Sequence, residues 1–185
     1  LPGELTRAQA LKLCAEIVAA DVPYAMIVGG EPTLVPHFTE VCKTLSDGGV
    51  LLKIETNGQN FDPAALKGLG IRSVQISLDG ASQAVYGRQR INGVLEKAVA
   101  ACRATVALGL PLEITFAPTK LNIFEAEAVI DLARESLRVA ACISVGCRSP
   151  RSSPARSTCF SWCRSSAWSL SSRPALSAWL VRGSL

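Results

Sequence analysis

The sequence predicts an α/β fold with parallel strands, assembled as part of a barrel or as an open sheet. Three observations carry that expectation. Short apolar runs of strand type alternate with longer segments of helical period. Each of the first three runs ends in glycine and small polar residues: residues 24–28 lead into Gly29, Gly30, Glu31 and Pro32, residues 51–55 into Thr56, Asn57 and Gly58, and residues 73–78 close on Ser77, Leu78, Asp79 and Gly80. The connections are also long enough for one crossover helix each, which parallel neighbours require. Right-handed crossovers then bring every strand C-terminus to one edge, where parallel α/β proteins bind their ligands.

The elements follow in order. Thr6 and Gln9 have capping-box spacing for a helix over residues 7–20, with Leu11, Leu13, Ile17 and Val18 as its apolar face. Asp21, Val22 and Pro23 break it before the strand at 24–28. A helix over 38–45 stops at Asp47, Gly48 and Gly49, a sequence suited to a left-handed cap, and a strand at 51–55 follows. Asp62 with Pro63 starts a short helix that Gly68 and Gly70 end. After the strand at 73–78, Tyr86, Gly87, Arg88, Gln89 and Arg90 read as a polar loop. Leu95, Val99, Cys102 and Val106 mark a helix over 94–108, closed by Gly109. Pro111 opens a strand at 112–116, Asn122 reads as the N-cap of a helix to about residue 137, and a last strand-like run spans 141–145. Five strands are few for a closed eight-stranded barrel, so a partial barrel or open sheet fits better.

Composition divides the chain. Residues 1–135 hold all 15 acids and 12 of the 19 bases, whereas residues 136–185 hold seven Arg and no acid. All three Trp and four of the seven Cys also fall in that second part. The net charge of +4 is thus no property of the body, and it cannot support a nucleic-acid reading of the whole chain. Residues 1–140 are expected to form the α/β unit and 141–185 an irregular Ser/Arg-rich tail. The joint loss of acids and Lys where the β/α rhythm fails reads as a change of reading frame, the alternative being an Arg/Ser-rich segment without regular structure that touches RNA or an anionic surface. No run of 18 apolar residues and no signal-peptide pattern occurs, and the expected location is cytoplasmic.

The three strand-end motifs resemble those of the radical S-adenosylmethionine (radical SAM) superfamily, nearest to its peptide-modifying maturases and cofactor-biosynthesis enzymes. Residues 111–116 up to Asn122 are similar to a further strand of that family, and the likeness covers about residues 5–137. The resemblance implies a partial (β/α)6 barrel that binds SAM and a [4Fe-4S] cluster at its C-terminal mouth, and reductive cleavage of SAM that starts radical chemistry on a substrate. It implies cofactor-binding roles for Gly29, Gly30, Glu31, Pro32, Asn57, Ser77 and Asp79. Gly29 and Gly30 let the backbone approach the ligand, Glu31 offers a carboxylate to the SAM ammonium, and Pro32 stiffens the turn. Ser77 and Asp79 would bond the ribose hydroxyls, and Asn57 with Gly58 would shape the floor. Thr115 and Asn122 are weaker candidates, with a strand polar residue and a helix cap as their plain readings. The implied partners are a peptide or small-molecule substrate and a reductant such as a flavodoxin or ferredoxin, without nucleic acid or membrane.

The family's CxxxCxxC cluster loop is absent from the sequence. The loop and the first family strand are expected upstream of Leu1, which leaves a sheet edge open, and this chain alone is expected to be inactive. Cys14, Cys42 and Cys102 fall on predicted helices and read as small buried apolar residues. Cys159 and Cys163 form a CxxxC pair, but Ser166 stands in the third place. His37 is the only His, which argues against zinc and Ser-His chemistry, and it reads as a surface or helix-start residue. Arg88 and Arg90 read as a solvated loop face, with binding of the SAM carboxylate or an acidic substrate as the alternative. A non-catalytic SAM-binding scaffold and an unrelated α/β nucleotide-binding domain are the competing classes.

Overall fold

A computed structural model describes residues 4–137, 143–145 and 160–162 of the chain. The elements run α1 (Arg7–Ala19), β1 (Tyr24–Ile27), α2 (Phe38–Asp47), β2 (Leu51–Thr56), β3 (Ile71–Ser77), α3 (Gln83–Gln89), α4 (Leu95–Ala107), β4 (Leu112–Phe116), α5 (Ala126–Leu137), β5 (Ile143–Val145) and β6 (Phe160–Trp162). Short 3-10 turns lie at Pro32–Leu34, Pro63–Leu66 and Ile123–Glu125. The six strands form one sheet in sequential order. The pairs from β1 to β5 are parallel and β5–β6 is antiparallel.

Sequential order has a direct consequence. Without a reversal there is no switch point, so right-handed crossovers carry all the helices to the same face. The strands accordingly alternate in chemistry. Leu52, Ile54, Val74, Ile76, Leu112, Ile114 and Phe116 are buried and share one core with Cys14 of α1, Cys42 and Leu45 of α2, Ala98 and Cys102 of α4, and Val129 and Ala133 of α5. The register places Lys53 beside Ser73, then Glu55, Gln75 and Glu113 in one row, then Ser77 beside Thr115. These residues have the opposite parity and form the polar face. A doubly wound sheet, covered on both sides, would instead read as continuous apolar runs. The pattern is that of a barrel wall with a polar inside.

Across that inner face Lys53 Nζ meets Glu113 Oε2 at 2.5 Å, bridging β2 and β4 over β3. Burial alone would raise the Glu113 carboxyl, but the Lys53 hydrogen bond and charge outweigh it and hold the group below its ordinary value. At the outer edge Tyr24 and Met26 of β1 and Val28 just beyond it are 40–51% exposed, so the inner side of β1 is open.

Most expected elements appear within two residues of their predicted ends. The α1 capping box is present, with Thr6 and Gln9 bonded reciprocally. His37 takes the N-cap position of α2 without a side-chain cap bond. The three described thiols are buried and unpaired by disulfide. One reading is corrected. Residues 86–90 are not a loop: Gln83–Gln89 is helical, capped by Ser82 Oγ, which accepts from Val85 N at 3.3 Å, and anchored by buried Val85 and Tyr86. Asn122 holds the N-cap position of the turn Ile123–Glu125 that leads into α5, but its side chain makes no cap bond; it is fully buried and ties two loops together, as described below. Beyond α5, β6 pairs with β5. The other tail readings, including Cys159, Cys163 and Ser166, lie outside the described residues. Among the described residues no helix is long and apolar enough to cross a membrane.

Gly58 has φ +72°, and a Cβ there would lie 3.1 Å from the Ala98 Cα and 3.2 Å from Ile76 Cγ2. Gly49 has a similar φ of +84° but open space around it. Gly49→Ala is therefore expected to cost about 1 kcal/mol, the left-handed penalty alone. Gly58→Ala is expected to cost about 3 kcal/mol, because crowding against the α4 backbone adds to that penalty. Urea unfolding midpoints of the two variants measure the difference, and equal losses would contradict the packing account.

Candidate functional site

The C-terminal edge of the sheet carries two braced groups of residues. The first joins β1 to β2. Gly29 and Gly30 follow β1, both exposed, and a Cβ at either would meet nothing within 4 Å. Beyond them Glu31 caps the turn Pro32–Leu34, whose Pro32 is buried. Glu31 Oε1 accepts from Thr33 Oγ1 and from Thr56 Oγ1, each at 2.6 Å, and Oε2 accepts from the Asn57 amide at 2.7 Å. Thr56 Oγ1 accepts in turn from the Gly58 amide at 3.1 Å, and Asn57 Oδ1 from the Gln59 amide at 2.8 Å.

The second group joins β3 to β4. Asp79 is 6% exposed. Its Oδ1 accepts from the Ala117 amide at 2.9 Å and its Oδ2 from Arg90 Nε at 2.8 Å. Asn122 Nδ2 donates to the carbonyls of Asp79 and Ala117, both at 3.0 Å, and its Oδ1 accepts from the Thr119 amide at 2.6 Å. Glu125 completes the brace: Oε2 accepts from the amides of Ala81 at 2.8 Å and Ser82 at 3.1 Å, and Oε1 from Ser82 Oγ at 2.5 Å. Between the two groups Gln59 is the tie. It donates to Tyr86 Oη at 3.2 Å and to the Val94 carbonyl at 3.1 Å, and accepts from the Val94 amide at 2.8 Å.

Of the residues expected at the site, Glu31 and Asn57 thus meet directly. Gly29, Gly30 and Pro32 adjoin them in the chain, and Asp79 belongs to the second group. Ser77 is 6% exposed and makes none of these side-chain bonds, and its register partner Thr115 carries a buried hydroxyl without a hydrogen-bond partner. Arg90 is engaged by Asp79, whereas Arg88 is exposed. Gln59 and Glu125 were not singled out from the sequence, and Thr56 entered only as a member of the second strand-end motif. For Thr56 the adjoining Asn57-Gly58 turn was a usable signal; Gln59 and Glu125 reach partners 27 and 44 residues away, which local pattern does not show.

A metal cluster needs thiolate ligands. Among the described residues no group of three or more His, Cys, Asp or Glu stands close enough to hold a metal ion. Burial, the leading cause in each case, pushes the thiols of Cys42 and Cys102 up to about 12, which disfavours the thiolate. The described residues therefore do not fit a [4Fe-4S] cluster. The exposed backbone at Gly29 and Gly30, where a Cβ would meet nothing within 4 Å, leaves room for a ligand to rest there.

The radical SAM superfamily model matches residues 1–134. The chain belongs to that superfamily. It is 28% identical over 137 residues to the AdoMet-dependent heme synthase of Methanosarcina barkeri, covering 72% of this chain and 39% of that one. It is 33% identical over 136 residues to the mycofactocin maturase MftC of Mycobacterium tuberculosis, covering 71% and 35%. The fold is that of SuiB from Streptococcus suis, solved with S-adenosylmethionine, at a TM-score of 0.65 and 15% identity over 76% of this chain and 34% of SuiB. The chain thus spans little more than a third of the length of these proteins. Family membership removes the unrelated nucleotide-binding domain from consideration.

Glu125 supplies a pH test of the second brace. Burial works to raise its carboxyl, yet the bonds from Ser82 and Ala81 prevail and hold it below the ordinary value. A folded value below the unfolded one gives stability that is full above the ordinary carboxylate range and is lost as pH falls through the depressed folded value. Thermal melting of the radical SAM chain and of Glu125→Gln from pH 7 to pH 3 should show the variant less stable at neutrality, with the gap closing as pH falls. A gap that stays constant with pH would rule out the charged brace.

Proposed function

We propose that this chain is the SAM-binding part of a radical SAM enzyme acting on a peptide or a cofactor precursor. The observation that carries the reading is the open space over Gly29 and Gly30 at the C-terminal edge of a one-sided parallel sheet. Superfamily membership and the peptide-modifying relatives support it. In this family SAM supplies a 5′-deoxyadenosyl radical that takes a hydrogen atom from the substrate.

The chain's own residues bind and orient. The carbonyls beside Gly29 and Gly30 accept from the SAM ammonium, and the missing side chains let the ligand reach them. Pro32, buried, fixes the turn that follows. Asn57 and Gly58 form the floor. Ser77 offers its hydroxyl to the ribose, and Asp79, held by Arg90 and the Ala117 amide, fixes the wall beside it. Substrate and reductant, a flavodoxin or ferredoxin, would meet this edge. Because the described residues do not fit a cluster, SAM binding without turnover is the activity expected of this chain by itself.

Gly30 gives a steric test. A Cβ there meets nothing within 4 Å, and its φ is not in the left-handed range. Gly30→Val should melt within a few degrees of the unaltered chain and bind SAM at least tenfold more weakly in equilibrium dialysis. Equal SAM affinity in the two would remove the ligand from this edge. For the enzyme reading, anaerobic iron–sulfur reconstitution with SAM and reductant should yield 5′-deoxyadenosine only when a CxxxCxxC loop is joined ahead of residue 1. A folded, cluster-loaded protein that makes none would count against radical chemistry.

A further inference from the structure

We propose that the inner wall of the sheet is a recognition site for a cationic group of the substrate, built from the Glu55 carboxylate on β2 and the Gln75 carboxamide on β3. The inference rests on the reading of this chain as part of a radical SAM enzyme, and it names a chemical feature of that enzyme's substrate.

Three observations carry it. The first is charge. The inward-facing residues of β2, β3 and β4 include one Lys and two Glu, and Lys53 is committed to Glu113 at 2.5 Å. Glu55, half-buried in the same row as Glu113, has no hydrogen-bond or ion-pair partner among the described residues. The wall therefore keeps one carboxylate in excess. The second is burial without satisfaction. Gln75 stands between Glu55 and Glu113 in the register, is 7% exposed, and its carboxamide has no partner among the described residues. Buried polar side chains are ordinarily hydrogen-bonded, so this one calls for a partner that the fold does not supply. Thr115, one row nearer the strand ends, repeats the pattern with a buried, unpaired hydroxyl. The third is placement. Neighbouring strands lie about 4.8 Å apart, so Glu55 and Gln75 are adjacent on one face. A cation between them would meet a carboxylate, in a charge-assisted bond, and a carboxamide oxygen together. A neutral group could use the carboxamide but would leave Glu55 uncompensated, and an anion would face repulsion. Both residues lie within their strands, whereas the open backbone of Gly29 and Gly30 lies beyond the end of β1. The wall is thus separate from the place given to SAM.

The chain itself provides the test, with butylammonium chloride as the probe. The variants are Glu55→Gln, Gln75→Met and, as a control, Glu96→Gln at an exposed position of α4. Butylammonium should move the backbone amide signals of Glu55 and Gln75 in nitrogen–proton correlation spectra along a saturating curve. Butanol and sodium chloride at the same concentrations should not. Glu55→Gln and Gln75→Met should each weaken butylammonium binding about fivefold, the scale of a partly exposed ion pair, while Glu96→Gln binds as the unaltered chain does. SAM affinity, read by equilibrium dialysis, should be the same in Glu55→Gln as in the unaltered chain. Melting within a few degrees of the unaltered chain separates loss of the site from loss of fold, and Gln75→Met replaces Glu55→Gln should that variant not fold. Equal shifts with butanol, or undiminished butylammonium binding in the variants, would mean a merely solvated wall and overturn the inference. A matching loss of SAM affinity in Glu55→Gln would mean that the wall holds SAM itself, and overturns it as well. An unaltered chain that binds butylammonium at the wall but no SAM would remove the SAM reading and leave the cation site standing, so the two failures are distinct.

Discussion

The sequential order of the strands is the constraint on which the rest depends. A parallel sheet whose order never reverses has its crossovers on one side, and so one face is apolar and the other is not. That single fact accounts for the alternation along β2 and β4, for the core that gathers α1, α2, α4 and α5, and for a polar wall of Lys53, Glu55, Gln75, Glu113, Ser77 and Thr115. It also brings the ends of β1 to β4 to one edge, so that residues far apart in the chain become neighbours without any long loop.

Ordering that edge requires more than the sheet. Loops that leave parallel strands have backbone amides with no ladder partner, and buried amides must be satisfied. Here carboxylates and an amide side chain do so. Glu31 takes the Asn57 amide, Asp79 the Ala117 amide, Glu125 the amides of Ala81 and Ser82, and Asn122 the Thr119 amide. Glu31, Asp79 and Glu125 are consequently part of the scaffold of the rim.

This division explains how much was legible in the sequence. The strands and most helices were readable because their signals are local: apolar period, the Thr6–Gln9 box, the glycine stop after Asp47. The motif residues were recognisable as members of the site for the same reason. Their individual roles were not, since the partner of Glu31 is 25 residues away and that of Asp79 is 38. Asn122 shows the limit clearly. Its type and place before a helix favour a cap, and only the arrival of the β3 loop beside it makes the buried tie the better use. In α3, Gly87 and the run of Arg and Gln suggested a loop, while the deciding contributions are the burial of Tyr86 and Val85 against the core.

The thiols follow the same logic from the opposite side. Cys14, Cys42 and Cys102 lie on helices that face the apolar side of the sheet. Burial raises all three, Cys42 and Cys102 to about 12. These sulfurs lie behind the wall, on the side of the sheet opposite its polar face. Moving one of them to that face would require a helix to leave the core, exposing Leu52, Ile54 and their neighbours to water. The sheet's one-sidedness therefore puts apolar packing, thiols included, behind the wall, and polar side chains on its open face.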